Sequence, residues 1–354
     1  MSDTLLINNI LNIASERKAT DVHLDAGNNP VIRVDGRLLT LTEEVVLTPT
    51  SLNNIAETVL SKADIERLNQ EREISTIYSW INRARFRIKV FYQKGYIAIS
   101  MRLVPAYIRS PKDLGIPLAI TQLLNRDKGL IFITGPFGSG RTTTAASLIE
   151  TINQNKGLHI QTLEQPIEYL FSNNQSVIEQ REVGKDVPDF SQGIKDVMDE
   201  DVDVVYVSLL HEFDLEERIL ELAESGKLVI VVMDADSVIS AIERFLSDLS
   251  SEKRDWARNL LADVLIGGTA QRLLPRIGGG FALVSEVLTS TPAVRSSIKE
   301  NKLHQLSSIM QTSKDEGMID LDKALLSLVR SGEVSPEDAM SQALDPDIFK
   351  QNFS

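Results

Sequence analysis

Hydrophobic residues are patterned differently in the two parts of this 354-residue chain. Over residues 4–17, Leu5, Leu6, Ile10, Leu11, Ile13 and Ala14 form a stripe at helical spacing. Short strands are predicted at Asp21–Leu24 and Val31–Val34, the second running into the turn Asp35-Gly36. A helical stretch over about residues 50–70 precedes a strand from Glu73 to Trp80. In Ala84–Tyr92, Phe86, Ile88, Val90 and Tyr92 alternate with Arg85, Arg87 and Lys89, which predicts a half-buried strand with one basic face. Tyr96–Leu103 repeats the alternation and carries Arg102 near its end. The first part therefore reads as a small mixed α/β domain, residues 1–104.

Pro105–Pro117 holds three prolines and a glycine and reads as a connecting segment. Beyond it the strands are almost continuously apolar: Ile131–Thr134, His159–Leu163, Val204–Leu209, Leu228–Met233 and Phe281–Val284. Helical stretches separate them, which predicts a largely parallel sheet covered on both faces. That gives an α/β core over 118–289. From about 290 the pattern is helical to a polar end at Ser354, so 290–354 forms a C-terminal helical segment.

Composition narrows the function. A net charge of −13 argues against an extended nucleic-acid surface. The absence of cysteine removes thiol chemistry and cysteine-ligated zinc, and fits a reducing cytoplasm. No apolar run approaches the length of a membrane span, and the first eleven residues read as an amphipathic helix, so no direct membrane insertion is expected. His23, His159, His211 and His304 lie far apart, without metal-ligand spacing.

The chemistry concentrates at residues 130–144. An apolar strand, Leu130–Ile133, runs into a loop with Gly135, Gly138, Ser139 and Gly140, then into Arg141, Thr142, Thr143 and Thr144 at a helix start. Backbone N–H groups and a helix N-terminus wrapped in this way cradle phosphate. The pattern G-x-x-x-x-G-K-[ST] is met except that Arg141 stands for the lysine. Its planar guanidinium keeps the charge but is larger, so it either crowds the loop or holds phosphate in an altered position. Thr142 is the hydroxyl placed for Mg²⁺.

Nearly the whole chain resembles the hexameric ATPases of type II secretion and type IV pili, most closely their PilT retraction type. The resemblance rests on Ala19–Leu24, Ile32–Gly36 and Ala84–Arg87 in the first domain. It continues in Gln180–Gly184, Gln271–Pro275, Ile277–Gly280 and Ala293–Glu300, the last resembling the C-terminal signature of retraction ATPases. It implies a PAS-like first domain, a RecA-like P-loop NTPase core, ATP and Mg²⁺ as cofactors, and a homo- or hetero-hexamer of PilT-like subunits. It also implies a cytoplasmic location at the inner-membrane pilus base, beside a platform protein, in twitching motility. Arg85, Arg87 and Arg102 fall where the family's first domain supplies arginines to the phosphates. The same residues read equally as a solvated basic strand face.

Six positions depart from the family pattern. Arg141 replaces the loop lysine, Gln165 a carboxylate in Glu164-Gln165-Pro166-Ile167-Glu168, and Asp199 an arginine. Ser208-Leu209-Leu210-His211 stands where the family has Gly-Glu-Met-Arg, so Leu209 occupies the place of the glutamate that polarises water and His211 that of an arginine. Asp234 replaces a nucleotide-sensing histidine and is expected to add negative charge near the phosphates. Leucine neither accepts a proton nor orients water, which leaves Glu164 and Glu168 as the nearby acids. Three functions remain open: a structural or regulatory ring component of the pilus motor with weak or no ATP hydrolysis, an active retraction ATPase using Glu164 or Glu168, and an ATP-binding sensor without turnover. The clustering of replacements in one site favours the first.

Overall fold

The computed structural model describes residues 3–34, 36–80, 84–104, 107–208, 215–344, 346 and 349. Asp35 of the first turn, Pro105 in the proline-rich segment and Ser354 lie outside the described residues. The chain divides into two units, Met1–Tyr107 and Ile108–Ser354, each with its own core.

The first unit contains helices α1 (Asp3–Glu16), α2 (Pro49–Val59) and α3 (Lys62–Glu71). Its strands are β1 (Asp21–Leu24), β2 (Val31–Val34), β3 (Arg37–Thr40), β4 (Glu73–Trp80), β5 (Ala84–Gln93) and β6 (Tyr96–Val104). They form an antiparallel sheet in the order β3-β2-β1-β6-β5-β4. The helical stripe of α1 buries Leu6, Ile10 and Leu11 with Leu52 and Ile55 of α2, over the inward residues Val22, Ile32, Phe86, Ile88 and Val90. The helix expected over about 50–70 is two helices. The chain leaves helical geometry at Leu60, and Ser61 exchanges hydrogen bonds with Asp64 in a capping box that starts α3. Strand β3 was not anticipated; all four of its residues are exposed, so it carries no hydrophobic alternation.

The second unit begins with the short helices α4 (Pro111–Leu114) and α5 (Leu118–Leu123). Residues 108–117, read from their prolines as a connection, belong to this unit: Ile116 is buried in its core, and Ser147 Oγ donates to the Arg109 carbonyl at 2.7 Å. There follow β7 (Gly129–Thr134), α6 (Arg141–Asn155), β8 (His159–Glu164), β9 (Val177–Glu182), α7 (Phe190–Asp199) and β10 (Val204–Val207). Then come α8 (Leu215–Glu224), β11 (Leu228–Met233), α9 (Val238–Ser247), α10 (Arg254–Val264), β12 (Leu265–Pro275) and β13 (Phe281–Thr289). The sheet order is β13-β12-β7-β11-β10-β8-β9, parallel throughout except for the β12–β13 hairpin.

Every residue of β7, β10 and β11 is buried, as the apolar runs predicted. Because strand side chains alternate between faces, Leu130, Phe132, Val205 and Val229 enter one core with α7 to α10. Ile131, Ile133, Val204 and Ile230 enter the other with α5 and α6. The C-terminal helices are α11 (Pro292–Lys299), α12 (Leu306–Thr312), α13 (Leu321–Arg330) and α14 (Pro336–Met340). Leu321 and Leu325 of α13 pack on Ala282 and Val284 of β13. The protein is thus an antiparallel-sheet α/β unit followed by a mostly parallel α/β core and a C-terminal set of helices.

Candidate functional site

The glycine loop joins the C-terminal end of β7 to the first turn of α6. Gly135, Gly138 and Gly140 have φ of +149°, +82° and +87°. A Cβ on Gly135 would lie 2.4 Å from the Gln271 carbonyl oxygen, so space as well as conformation demands glycine there. Gln271, on the neighbouring strand β12, braces the loop by donating its Nε2 to the Ser139 carbonyl at 2.7 Å. Gly140 precedes α6 without any side-chain cap, so the helix's first N–H groups are not taken by a capping residue. The Ser139 hydroxyl is buried and makes no hydrogen bond among the described residues.

Arg141 opens α6, and its side chain is only 9% exposed. Nη1 donates to the Met233 carbonyl at 2.7 Å and forms an ion pair with the Asp234 carboxylate. Both acceptors stand at the end of β11, the strand beside β7. Two further arginines hold the following loop: Arg244 Nη1 donates to the Asp234 carbonyl at 2.9 Å and Arg272 Nη2 to the Asp236 carbonyl at 3.3 Å. Glu286 accepts from the Val238 N–H at 2.8 Å where α9 begins. The negative charge expected at Asp234 is therefore met by the positive charge expected in the loop.

The remaining predicted residues lie in the first turn of α6, at and just past the end of β8, and at the end of α7. Thr142 is half-buried, and Thr143 Oγ1 shares a 2.9 Å hydrogen bond with the Tyr169 hydroxyl. Glu164 ends β8, buried, with Oε1 accepting from Thr162 Oγ1 at 2.8 Å and Gln180 Nε2 at 3.0 Å. Two donors on one oxygen fix this carboxylate in place. Glu168 is half-buried. The Gln165 N–H donates to Ser208 Oγ at 3.0 Å just past β10. Asp199 is exposed at the end of α7. Leu209, Leu210 and His211 lie outside the described residues.

Sequence reasoning missed Tyr206, which sits inside an apolar strand. Its hydroxyl is buried without a hydrogen bond among the described residues. Burial pushes its pKa well above the ordinary phenol range; Glu164 and Glu168 push it further and Arg141 opposes them. These four side chains thus share one electrostatic neighbourhood. Gln271 was also missed as a brace, although its segment had been singled out.

In the first unit, cross-strand register aligns Arg33, Asp21, Arg102 and Arg87 in one row over β2, β1, β6 and β5. Residues paired in this way share a face. Arg102 Nε donates to Asp21 Oδ1 at 2.8 Å, and Arg33 Nε lies 3.9 Å from Oδ2. Arg85 is two residues from Arg87, on the same face of β5. The basic strand face is therefore organised around a buried aspartate.

Residues 3–279 match the family model described as Type II/IV secretion system protein. The chain belongs to this family. It is 31% identical over 346 residues to the type IV pilus retraction ATPase PilT of Pseudomonas aeruginosa, covering 97% of this chain and 99% of the relative. It is likewise 31% identical over 317 residues to a twitching motility protein of Neisseria gonorrhoeae, covering 89% of this chain and 84% of that one. The crystal structure of the pilus retraction motor PilT with bound ADP superposes with a TM-score of 0.85 at 36% identity, covering 97% of this chain and 98% of that one. The chain is a PilT-like member of a family of ATPases.

The loop fits the nucleotide that this family implies, with one exception. Its left-handed glycines suit a phosphate, as do a helix start with no side-chain cap and a Ser139 hydroxyl with no partner among the described residues. The exception is the loop cation, which is engaged by Asp234. Among the described residues no cluster of three His, Asp or Glu side chains could hold a metal ion. The Thr142 hydroxyl in the first turn of α6 is the group that would meet magnesium beside phosphate oxygens. Among the described residues no helix is long and apolar enough to cross a membrane.

Proposed function

We propose that this chain is a PilT-like ring subunit of a type IV pilus motor whose own ATP hydrolysis is weak or absent. It serves as a structural or regulatory component beside active PilT-like subunits at the cytoplasmic face of a pilus platform protein. One observation carries this reading: the Arg141 guanidinium is bound to Asp234 and to the Met233 carbonyl, so the loop's cation is already neutralised. Phosphoryl transfer depends on cations that offset charge at the transferring group. The sequence adds that Leu209 stands at the position of the water-polarising glutamate, and general-base assistance is typically worth about 10²–10⁴-fold. Glu164 and Glu168 are the acids that an active motor would have to use, but Glu164 is fixed by Thr162 and Gln180.

Nucleotide binding without efficient turnover is part of the same reading. The braced loop 135–140 and the buried Ser139 hydroxyl, without a partner among the described residues, favour it over complete loss of binding. Gly135, Gly138, Ser139, Gly140, Thr142 and Thr143 would hold the phosphates, with Thr142 on magnesium. Arg85, Arg87 and Arg102 would act on phosphate across subunits only if the ring forms. Steady-state phosphate release by the purified chain, alone and mixed with an active PilT-type subunit, is the test. The expected result is no turnover at motor rates alone and altered turnover in the mixture. Ordinary motor rates from the chain alone would overturn the reading.

A further inference from the structure

We infer that Asp234 is a specificity-determining residue that makes this phosphate loop prefer a nucleoside diphosphate to a triphosphate. The inference rests on the reading of residues 135–143 as a phosphate loop. In such loops the cation after the last glycine meets the β- and γ-phosphates, while backbone N–H groups cradle the inner ones. The backbone part is present here: three left-handed glycines, the Gln271 brace and the uncapped start of α6. The cationic part is not free, because Arg141 reaches from its helix to the end of β11 and is paired there.

The backbone that carries Asp234 is braced. Arg244 bonds its carbonyl, Arg272 bonds the carbonyl of Asp236, and Glu286 receives the Val238 N–H where the loop turns into α9. Its carboxylate is 35% exposed, so a bound anion feels it. A diphosphate draws mainly on the N–H cradle. A triphosphate brings another negative charge toward a cation that is already matched, beside the carboxylate that matches it. Repulsion of the added charge, screened by solvent at this part-exposed carboxylate, is expected to cost about tenfold in affinity, or about 1.4 kcal/mol.

The test is calorimetric titration of ADP and of ATP, each with Mg²⁺, into the full chain and two variants. The parent should bind ADP about tenfold more tightly than ATP. Asp234→Asn, which keeps an acceptor for Arg141, should tighten ATP binding about tenfold and change ADP binding less than about threefold. Asp234→Glu should retain the ADP preference, and thermal unfolding of each variant checks that it is folded. A parent that prefers ATP, or an ADP-to-ATP ratio unmoved by Asp234→Asn, overturns the inference and leaves the phosphate loop standing. Should neither nucleotide bind to the parent or to Asp234→Asn, the phosphate-loop reading fails and takes the inference with it. If Asp234→Asn does not fold, the parent's own ADP-to-ATP ratio decides.

Discussion

Arg141 and Arg102 are each held by an aspartate, yet burial is reversed between the two pairs. Arg141 is 9% exposed and Asp234 35%, whereas Arg102 is 44% exposed and Asp21 9%. A guanidinium stays charged at any pH a protein meets, so a buried one requires acceptors at all times. A buried carboxylate has the further option of taking up a proton. Arg141 depends on two groups at the end of one strand, the Met233 carbonyl and the Asp234 carboxylate. Asp21 is served redundantly, by Arg102, by Arg33 and by the Thr20 hydroxyl at 2.8 Å. The first pair is a commitment made at the phosphate loop, and the second is one contact in a shared row.

The sharpest contrast with both pairs comes from Glu286, a buried acid that makes no ion pair among the described residues. Burial raises its pKa from the ordinary 4.5 to about 7, opposed by the Val238 N–H. Folding then takes up a proton between those values. The stabilising contribution is complete below about pH 4.5 and is lost as pH rises through about 7. The loss across that window is up to about 3 kcal/mol. Glu286→Gln should flatten the slope and leave the protein more stable than the parent at pH 8. Urea unfolding between pH 5 and 8 checks this, and a parent with no such slope would contradict it.

Next in size is the difference between the two aspartates. Asp234→Ala leaves a buried guanidinium with one fewer acceptor and should cost about 2 kcal/mol. Asp21→Ala leaves two half-exposed arginines and should cost about 0.5 kcal/mol. Denaturant midpoints compare them, and equal losses would mean that burial of the arginine is not what separates the pairs. The smallest effect belongs to Lys89 and Glu73, 2.9 Å apart but 48% and 60% exposed. Lys89→Ala should change stability by about 0.3 kcal/mol, and a loss approaching that of Asp234→Ala would undo the ranking by depth.

Apolar runs made β7, β8, β10 and β11 legible, because strands covered on both faces carry little else. The strands that escaped are those with weak patterns. β3 is wholly exposed. β9 carries Glu179, Gln180, Arg181 and Glu182 at the sheet edge. β12 carries Gly267 and Gly268 where its neighbours come close: a Cβ on Gly267 would lie 2.7 Å from the Leu288 carbonyl oxygen. In the site, the glycine spacing announced the loop, and both unusual charges, Arg141 and Asp234, were visible as departures. What could not be read was that they meet. Tyr206 escaped for the opposite reason, since in the middle of an apolar run a phenol looks like core.

The lineage, the buried apolar strands and the glycine loop were legible in the chain alone. Those depend on local spacing and on which residues shun water. Only the tertiary structure decided what the loop's cation does. Arg141 and Asp234 are far apart in the chain and come together because β7 and β11 are adjacent in the sheet. Strand order is a property of the packed sheet, and with it came the pairing of one departure with the other.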